Sequence, residues 1–148
     1  MQANDEIPIE DYTCLALYRA SRAVTGLYRQ LLVDLDLTYP QYLVMRLLWQ
    51  RGTLAVGEIG EALGLDYGTL SPLLKRLESA GLIERRRRSD DERSVDIALT
   101  PGGRALEARS LEIPHKLNCA LGLKDGEALA LRQTLSQLIA SVESPAAG

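Results

Sequence analysis

Two short apolar helical patterns, separated by a tight turn and followed by alternating segments, constrain the fold most. The first pattern covers about Val56–Leu63, the turn covers residues 64–66, and the second pattern covers about Gly68–Ala80. Their apolar residues recur where two crossing helices would meet, which is typical of a helix-turn-helix. Residues 82–99 then alternate around a charged tip, and this pattern predicts a β-hairpin that forms a wing.

Helical periodicity continues on both sides of this motif. Asp11 is the predicted N-cap of a long first helix that ends near residues 35–38. Pro114 is expected to kink a second long helix after the hairpin. The other predicted helices are Gln41–Arg51, Gly102–Leu121 and Lys124–Val142. The expected fold class is therefore mainly α with a small β-wing.

Composition excludes several classes of protein. The chain has 148 residues, of which 46% are hydrophobic and 25% charged, so one domain, or one domain with a helical appendage, is expected. Two cysteines and one histidine argue against a disulfide scaffold and against a multi-ligand zinc site. The sequence shows no long apolar run and no signal peptide, so we expect a cytoplasmic protein without a membrane span.

The local charge pattern favours DNA binding, although the net charge of −3 argues weakly against it. The second helix of the motif would enter the major groove and offers Thr69, Ser71, Lys75 and Arg76. Arg93 at the hairpin tip could enter the flanking minor groove, and the run Arg85–Arg88, including Arg86, could contact phosphates. The alternative is a solvated charged hairpin beside an ordinary helical core.

Cys14 is the first residue whose side chain could be chemically reactive. If Asp11 caps the first helix, Cys14 lies in its first turn, where the helix dipole favours a thiolate. Tyr18 lies one turn away on the same face, whereas Tyr28 is fourteen residues away, or about 21 Å along a helix. Tyr28 could therefore meet only the Cys14 of a second subunit whose helix crosses antiparallel. The alternative is a buried, inert cysteine.

Cys119 is a small core residue when considered alone. With Cys14 it could be a resolving thiol that captures a sulfenic acid as a disulfide. Spacing leaves open whether such a bond forms within or between chains. His115 is isolated and is interpreted as a surface or packing residue. The sequence suggests neither a Ser-His-Asp set nor a glycine-rich phosphate loop, so no enzyme site and no cofactor are expected.

Several stretches resemble the MarR-type winged helix regulators. They are Leu37–Met45, Gly68–Glu78, Ala80–Ile83 and Asp91–Val95. Cys14 followed by Tyr18, Tyr28 and the Thr-Tyr-Pro-Gln-Tyr segment resembles more specifically the organic-hydroperoxide sensor (OhrR) branch. Tyr67 and Gly68 depart from the small residues that this family often has there, so operator preference could differ.

The resemblance implies a homodimeric repressor that binds inverted-repeat operator DNA and responds to organic hydroperoxide. It implies a winged helix-turn-helix domain at 39–100 and a helical dimerisation domain built from both chain ends, 1–38 and 101–148. It also implies that Asp91 pairs with Arg93 to support the wing.

The resemblance further implies the redox chemistry. Cys14 would be the peroxidatic thiol, hydrogen-bonded by Tyr28 and Tyr39 of the partner subunit, with Tyr18 lining the same pocket. Cys119 fits the two-cysteine members of the branch, which would form an intersubunit disulfide between Cys14 and Cys119. Two alternatives stay open: a MarR-type regulator released by a small aromatic ligand in the dimer cleft, and a cysteine peroxidase.

Overall fold

The computed structural model describes residues 6–88 and 91–144, and the side chains of all of these except residues 88 and 91–93. The described helices are Thr13–Leu31 (α1), Tyr39–Arg51 (α2), Val56–Leu63 (α3), Tyr67–Ser79 (α4), Pro101–Arg109 (α5), Ile113–Leu121 (α6) and Asp125–Glu143 (α7). The described strands are Leu54–Ala55 (β1), Ile83–Arg88 (β2) and Asp91–Leu99 (β3). This architecture confirms a mainly helical chain with a small sheet.

The chain divides into two compact units, one up to Ile113 and one from Pro114. The first unit contains α1 to α5 and the sheet, and it holds the buried apolar core. The second unit contains most of α6 and all of α7. Several apolar side chains of this second unit are exposed in the single chain: Leu121, Leu123, Leu129, Leu131, Ile139 and Val142.

The helix-turn-helix forms from α3 and α4, where the sequence predicts it. Asp66 caps α4 by accepting a hydrogen bond of 2.7 Å from the Thr69 backbone N–H, and this bond lowers the pKa of the Asp66 carboxyl. Gly64 ends α3 with a φ of 68°, a conformation that favours glycine. The apolar side chains at the crossing are buried: Ile59, Leu70, Leu73, Leu74 and Leu77. The polar side of α4 therefore faces outward.

The predicted wing is present as the antiparallel pair of β2 and β3. Its apolar residues Ile83 and Ile97 are buried against the helices, as the alternation requires. The third strand, β1, was not predicted, and it pairs with the other edge of β3. A two-residue strand has too few positions to show an alternating pattern, so only its tertiary pairing reveals it.

The first helix differs from the prediction at both ends. Asp11 does not cap α1; it closes a 3₁₀ turn, Ile9–Asp11, and the N-cap is Tyr12, without a side-chain hydrogen bond. Cys14 nevertheless lies in the first turn. The helix ends at Leu31, earlier than predicted, because a second 3₁₀ turn follows at Val33–Leu35.

The predicted long helix after the wing is two helices. The interruption between α5 and α6 precedes Pro114, so the prediction of a kink at this proline is wrong. Ser110 is fully buried at the break and donates a hydrogen bond of 2.7 Å to the carbonyl oxygen of Glu107. Pro114 then lies in the first turn of α6. Backbone N–H groups in a first turn have no acceptor within the helix, so a proline there costs no helical hydrogen bond.

Candidate functional site

Three tyrosines of α1 and α2 pack together in the first unit, and we call them the tyrosine cluster: Tyr28, Tyr39 and Tyr42. The rings of Tyr28 and Tyr39 stack with centroids 4.0 Å apart and planes inclined by 12°. The ring of Tyr42 lies 5.7 Å from that of Tyr28. Tyr28 is 7% exposed and Tyr42 is 3% exposed, so the cluster joins α1 to α2 through buried aromatic surface. The structure therefore brings two of the sequence-predicted site residues, Tyr28 and Tyr39, together.

Burial keeps the hydroxyls of this cluster protonated. It raises the pKa of Tyr28 to about 12, with further contributions from the neighbouring hydroxyls of Tyr39 and Tyr42 and a smaller opposing effect of Arg46. Burial also raises the pKa of Tyr39 and of Tyr42. At neutral pH the cluster therefore presents O–H donors, which is what hydrogen bonding to a thiolate requires.

The raised pKa of Tyr28 predicts a loss of stability at alkaline pH. In the unfolded chain the hydroxyl titrates near pH 10, and in the folded chain it titrates near 12. The stabilisation is fully present below pH 10 and is lost as pH rises from 10 through 12, because only the unfolded chain has released the proton there. The total is about 2–3 kcal/mol.

Urea unfolding at pH 9 and pH 11.5 tests this prediction. Tyr28→Phe should lose less stability between the two pH values than wild type does. The matched control is Tyr67→Phe, which alters an exposed ring and should lose as much as wild type. An equal alkaline loss in Tyr28→Phe and wild type would contradict the assignment.

Cys14 is a free, exposed thiol on the first turn of α1. This placement contradicts the alternative of a buried cysteine in the single chain. Tyr18, one turn further, is 60% exposed, and the guanidinium of Arg22 lies 5.6 Å from the centroid of its ring. Cys14 and Tyr28 lie on the same unbroken helix, so the rise of about 1.5 Å per residue keeps them about 21 Å apart within one chain.

Cys119 is a free, exposed thiol on α6 in the second unit. Its Sγ lies 3.7 Å from Nε2 of His115, one helical turn earlier. The sequence interpretation treated His115 as isolated, although its spacing of four residues from Cys119 on a predicted helix was the signal for this contact.

The exposed surface of α4 carries the residues predicted to read DNA. Thr69, Lys75 and Arg76 are exposed, and Ser71 is half-buried. The leucines on the opposite side of α4 fix this orientation by packing into the core. Lys75 and Arg76 therefore supply positive charge at the surface that the helix-turn-helix presents outward.

Two arginines of β2, Arg85 and Arg86, have acidic side chains nearby. Arg86 pairs with Glu84, so a phosphate would have to compete with this ion pair. Arg85 is half-buried, and its Nε lies 3.9 Å from a carboxylate oxygen of Glu78 on α4. This long ion pair between the wing and α4 leaves the Arg85 Nε without a hydrogen bond. The predictions for the side chains of Asp91 and Arg93 lie outside the described residues.

Within residues 6–88 and 91–144, no cluster of three or more histidine, cysteine or acidic residues could hold a metal ion. Over the same ranges, no helix has the length and apolar character needed to cross a membrane.

Comparisons with known proteins identify the same family that the sequence motifs resemble. The sequence profile of the MarR family matches residues 37–95. The chain is 44% identical over 140 residues to the organic hydroperoxide resistance transcriptional regulator of Bacillus subtilis (strain 168), covering 95% of this chain and 93% of that protein. That relative is a transcriptional regulator, in agreement with the expectation that this chain is not an enzyme.

The fold is also similar to solved structures of AbfR of Staphylococcus epidermidis in several redox states. Reduced AbfR bound to DNA is 35% identical with a TM-score of 0.70, covering 85% of this chain and 91% of that one. Overoxidised AbfR bound to DNA is 30% identical with a TM-score of 0.76, covering 88% and 93%. Disulfide-formed AbfR is 32% identical with a TM-score of 0.66, covering 85% and 88%.

Proposed function

Because this chain belongs to the MarR family of winged-helix transcriptional regulators, we propose that it is a redox-sensing repressor. The reduced homodimer binds an inverted-repeat operator and releases it when an organic hydroperoxide oxidises Cys14. One observation carries this proposal: an exposed thiol at the start of α1 occurs in a chain that also holds two stacked hydroxyl donors, the buried Tyr28 and the half-buried Tyr39. The dimerisation role of 1–38 and 101–148 is part of the proposal.

In the proposed complex, α4 lies in the major groove and the wing follows the phosphate backbone. Thr69 and Ser71 near the start of α4 reach base edges, while Lys75 and Arg76 contact phosphates or bases further along. Arg86 contacts phosphate after leaving Glu84. Arg93, supported by Asp91, enters the minor groove at the wing tip.

The charge of Lys75 gives this binding mode a quantitative test. If Lys75 of each subunit contacts a phosphate, Lys75→Ala removes two contacts from the homodimer and should lower the magnitude of the slope of log affinity against log salt by about two. Fluorescence anisotropy with operator DNA between about 50 and 200 mM salt measures the slope. Lys124→Ala, which removes the same charge from the second unit, is the control and should keep the wild-type slope. An unchanged slope in Lys75→Ala would exclude a phosphate contact.

The proposed chemistry starts at the Cys14 thiolate. Its sulfur attacks the terminal oxygen of the hydroperoxide, an S–O bond forms, and the O–O bond breaks. The products are a sulfenic acid on Cys14 and an alcohol, whose oxygen takes up a proton. Tyr28 and Tyr39 of the partner subunit donate hydrogen bonds to the thiolate, and Tyr18 lines the same pocket.

A disulfide completes the proposed switch. Cys119 of the partner subunit loses its proton, its sulfur attacks the sulfenic sulfur of Cys14, and hydroxide leaves as water. The separation of about 21 Å between Cys14 and Tyr28 within one chain supports a site assembled from two subunits. Overoxidised AbfR is found bound to DNA, whereas AbfR also exists in a disulfide form. This contrast supports disulfide formation, rather than oxygen addition alone, as the step that releases DNA.

Operator binding under controlled redox conditions tests the proposal. The labelled DNA is the inverted repeat upstream of the protein's own coding sequence, and anisotropy reports binding by reduced protein. An organic hydroperoxide should release the DNA, and a dithiol reductant should restore binding. If the oxidised protein stays bound, the redox proposal fails, and a screen of small aromatic compounds tests the ligand-released alternative. Sustained multiple turnover of hydroperoxide with a thioredoxin-like reductant would instead support a peroxidase.

A further inference from the structure

We propose that Trp49 is a positioning residue that couples the tyrosine cluster to the junction between α4 and the wing. We call this junction, Gly81–Leu82, the wing junction. The inference rests on the proposed redox function, and it names the contacts through which a change at Tyr28 and Tyr39 reaches the DNA-reading surface. Each contact lies within the first unit of the chain.

The first part of the connection is a continuous series of aromatic rings, which we call the aromatic ladder: Tyr39, Tyr28, Tyr42 and Trp49. Its successive centroids lie 4.0, 5.7 and 6.3 Å apart. Tyr42 and Trp49 are seven residues apart on α2, so they share one side of that helix two turns apart. Their rings meet edge to face at 68°. Interiors are close-packed, so a ring that leaves this series forces its neighbours to shift.

The second part is a hydrogen bond that leaves α2. Nε1–H of Trp49 donates to the carbonyl oxygen of Gly103 in the first turn of α5, at 2.9 Å. The two residues are 54 positions apart in sequence, so the bond ties two separate helices together. An indole has one donor and no acceptor, and this contact uses that donor.

The third part attaches the start of α5 to the wing junction. A Cβ added to Gly103 would lie 2.1 Å from the carbonyl oxygen of Leu82, so the two backbones are in direct contact. Thr100 donates from its Oγ1 to the carbonyl oxygen of Gly81 at 2.5 Å and from its N–H to that of Leu82 at 3.1 Å. The Leu82 N–H in turn bonds the carbonyl oxygen of Leu77 in the last turn of α4, at 3.1 Å.

These contacts form one path from the redox site to the DNA-reading surface. In the proposed dimer, disulfide formation draws Cys14 of one subunit away from Tyr28 and Tyr39 of the other. This movement disturbs the first rings of the aromatic ladder in that other subunit. Through its hydrogen bond to Gly103, Trp49 shifts the start of α5. The start of α5 contacts the wing junction, so α4 and β2, which meet there, change their orientation. Operator half-sites have a fixed spacing, so a small reorientation of these two elements weakens binding.

The test compares Trp49→Phe with wild type and with Ser110→Ala. Phenylalanine keeps a ring at the end of the aromatic ladder but removes the donor to Gly103. Ser110→Ala removes one hydrogen bond from the other end of α5, outside the path. For each protein we would measure Cys14 oxidation, the free energy of unfolding, and operator Kd before and after hydroperoxide.

We expect Trp49→Phe to be oxidised normally at Cys14 while its ratio of oxidised to reduced Kd falls at least about fivefold below that of wild type. Ser110→Ala should keep the wild-type ratio even if its stability drops. A wild-type ratio in Trp49→Phe would overturn the proposal. Wild type that is oxidised at Cys14 yet keeps its DNA would instead overturn the proposed function, on which this inference depends.

Trp49 is the single tryptophan of the chain, so its fluorescence gives a second measurement that needs no variant at this position. Its emission should change when hydroperoxide oxidises wild type, and it should stay constant in Cys14→Ser. Constant emission during oxidation that releases DNA would overturn the proposal even if Trp49→Phe does not fold.

Discussion

Replacing Cys14 by serine is expected to abolish the response to hydroperoxide while leaving the DNA affinity of the reduced protein unchanged. Serine keeps the size and exposure of the side chain on the first turn of α1 but cannot form a sulfenic acid or a disulfide. Oxidised wild type should bind operator about 5- to 150-fold more weakly than reduced wild type, which is the usual range of allosteric coupling. Cys14→Ser should show no difference between the two conditions.

Cys119→Ser is the matched variant, because it removes the other exposed thiol of the described chain. It should form the sulfenic acid at Cys14 but no disulfide, so we expect it to keep more DNA bound after oxidation than wild type does. Anisotropy measures binding, and non-reducing electrophoresis shows whether a disulfide-linked dimer forms. Full release by Cys14→Ser would contradict the redox function, and full release by Cys119→Ser would reduce Cys119 to an auxiliary role.

Much of the fold could be predicted from the sequence because its signals are local. The helix-turn-helix follows from Gly64, Asp66 and the leucine spacing of α4, which together fix a turn, a cap and a buried face. The signals failed where tertiary contacts decide the structure. The strand β1 exists only through its pairing with β3, and α5 ends at a buried serine with no strong local stop signal.

Part of the candidate site could likewise be predicted from the sequence, and part of it could not. Cys14 and Tyr28 could be proposed from the sequence, since their helical spacing ties any contact between them to a second subunit. Tyr39 was named only through the resemblance to the OhrR branch. The bond from Trp49 to Gly103 could not be predicted, because residues 54 positions apart carry no local sign of their contact. The tyrosines could therefore be named in advance, while their connection to the wing junction required the three-dimensional structure.

Replacing Gly103 by alanine is expected to destabilise the first unit severely. The new Cβ would lie 2.1 Å from the carbonyl oxygen of Leu82 and 3.3 Å from Cδ2 of Leu99. The nearer atom belongs to the backbone of the wing junction and cannot swing aside as a flexible side chain could. The start of α5 must therefore separate from the wing junction, at a cost of about 3 kcal/mol in the free energy of unfolding.

The neighbouring glycine provides the control for this prediction. An added Cβ on Gly102 would lie 3.5 Å from the carbonyl oxygen of Gly81, which is ordinary van der Waals contact. Gly102→Ala should therefore change the free energy of unfolding by less than about 1 kcal/mol, in the stabilising direction, because alanine lowers the entropy of the unfolded chain. Urea unfolding of both variants measures the difference. Similar stabilities would show that α5 and the wing junction are not in the close contact on which the coupling through Trp49 depends.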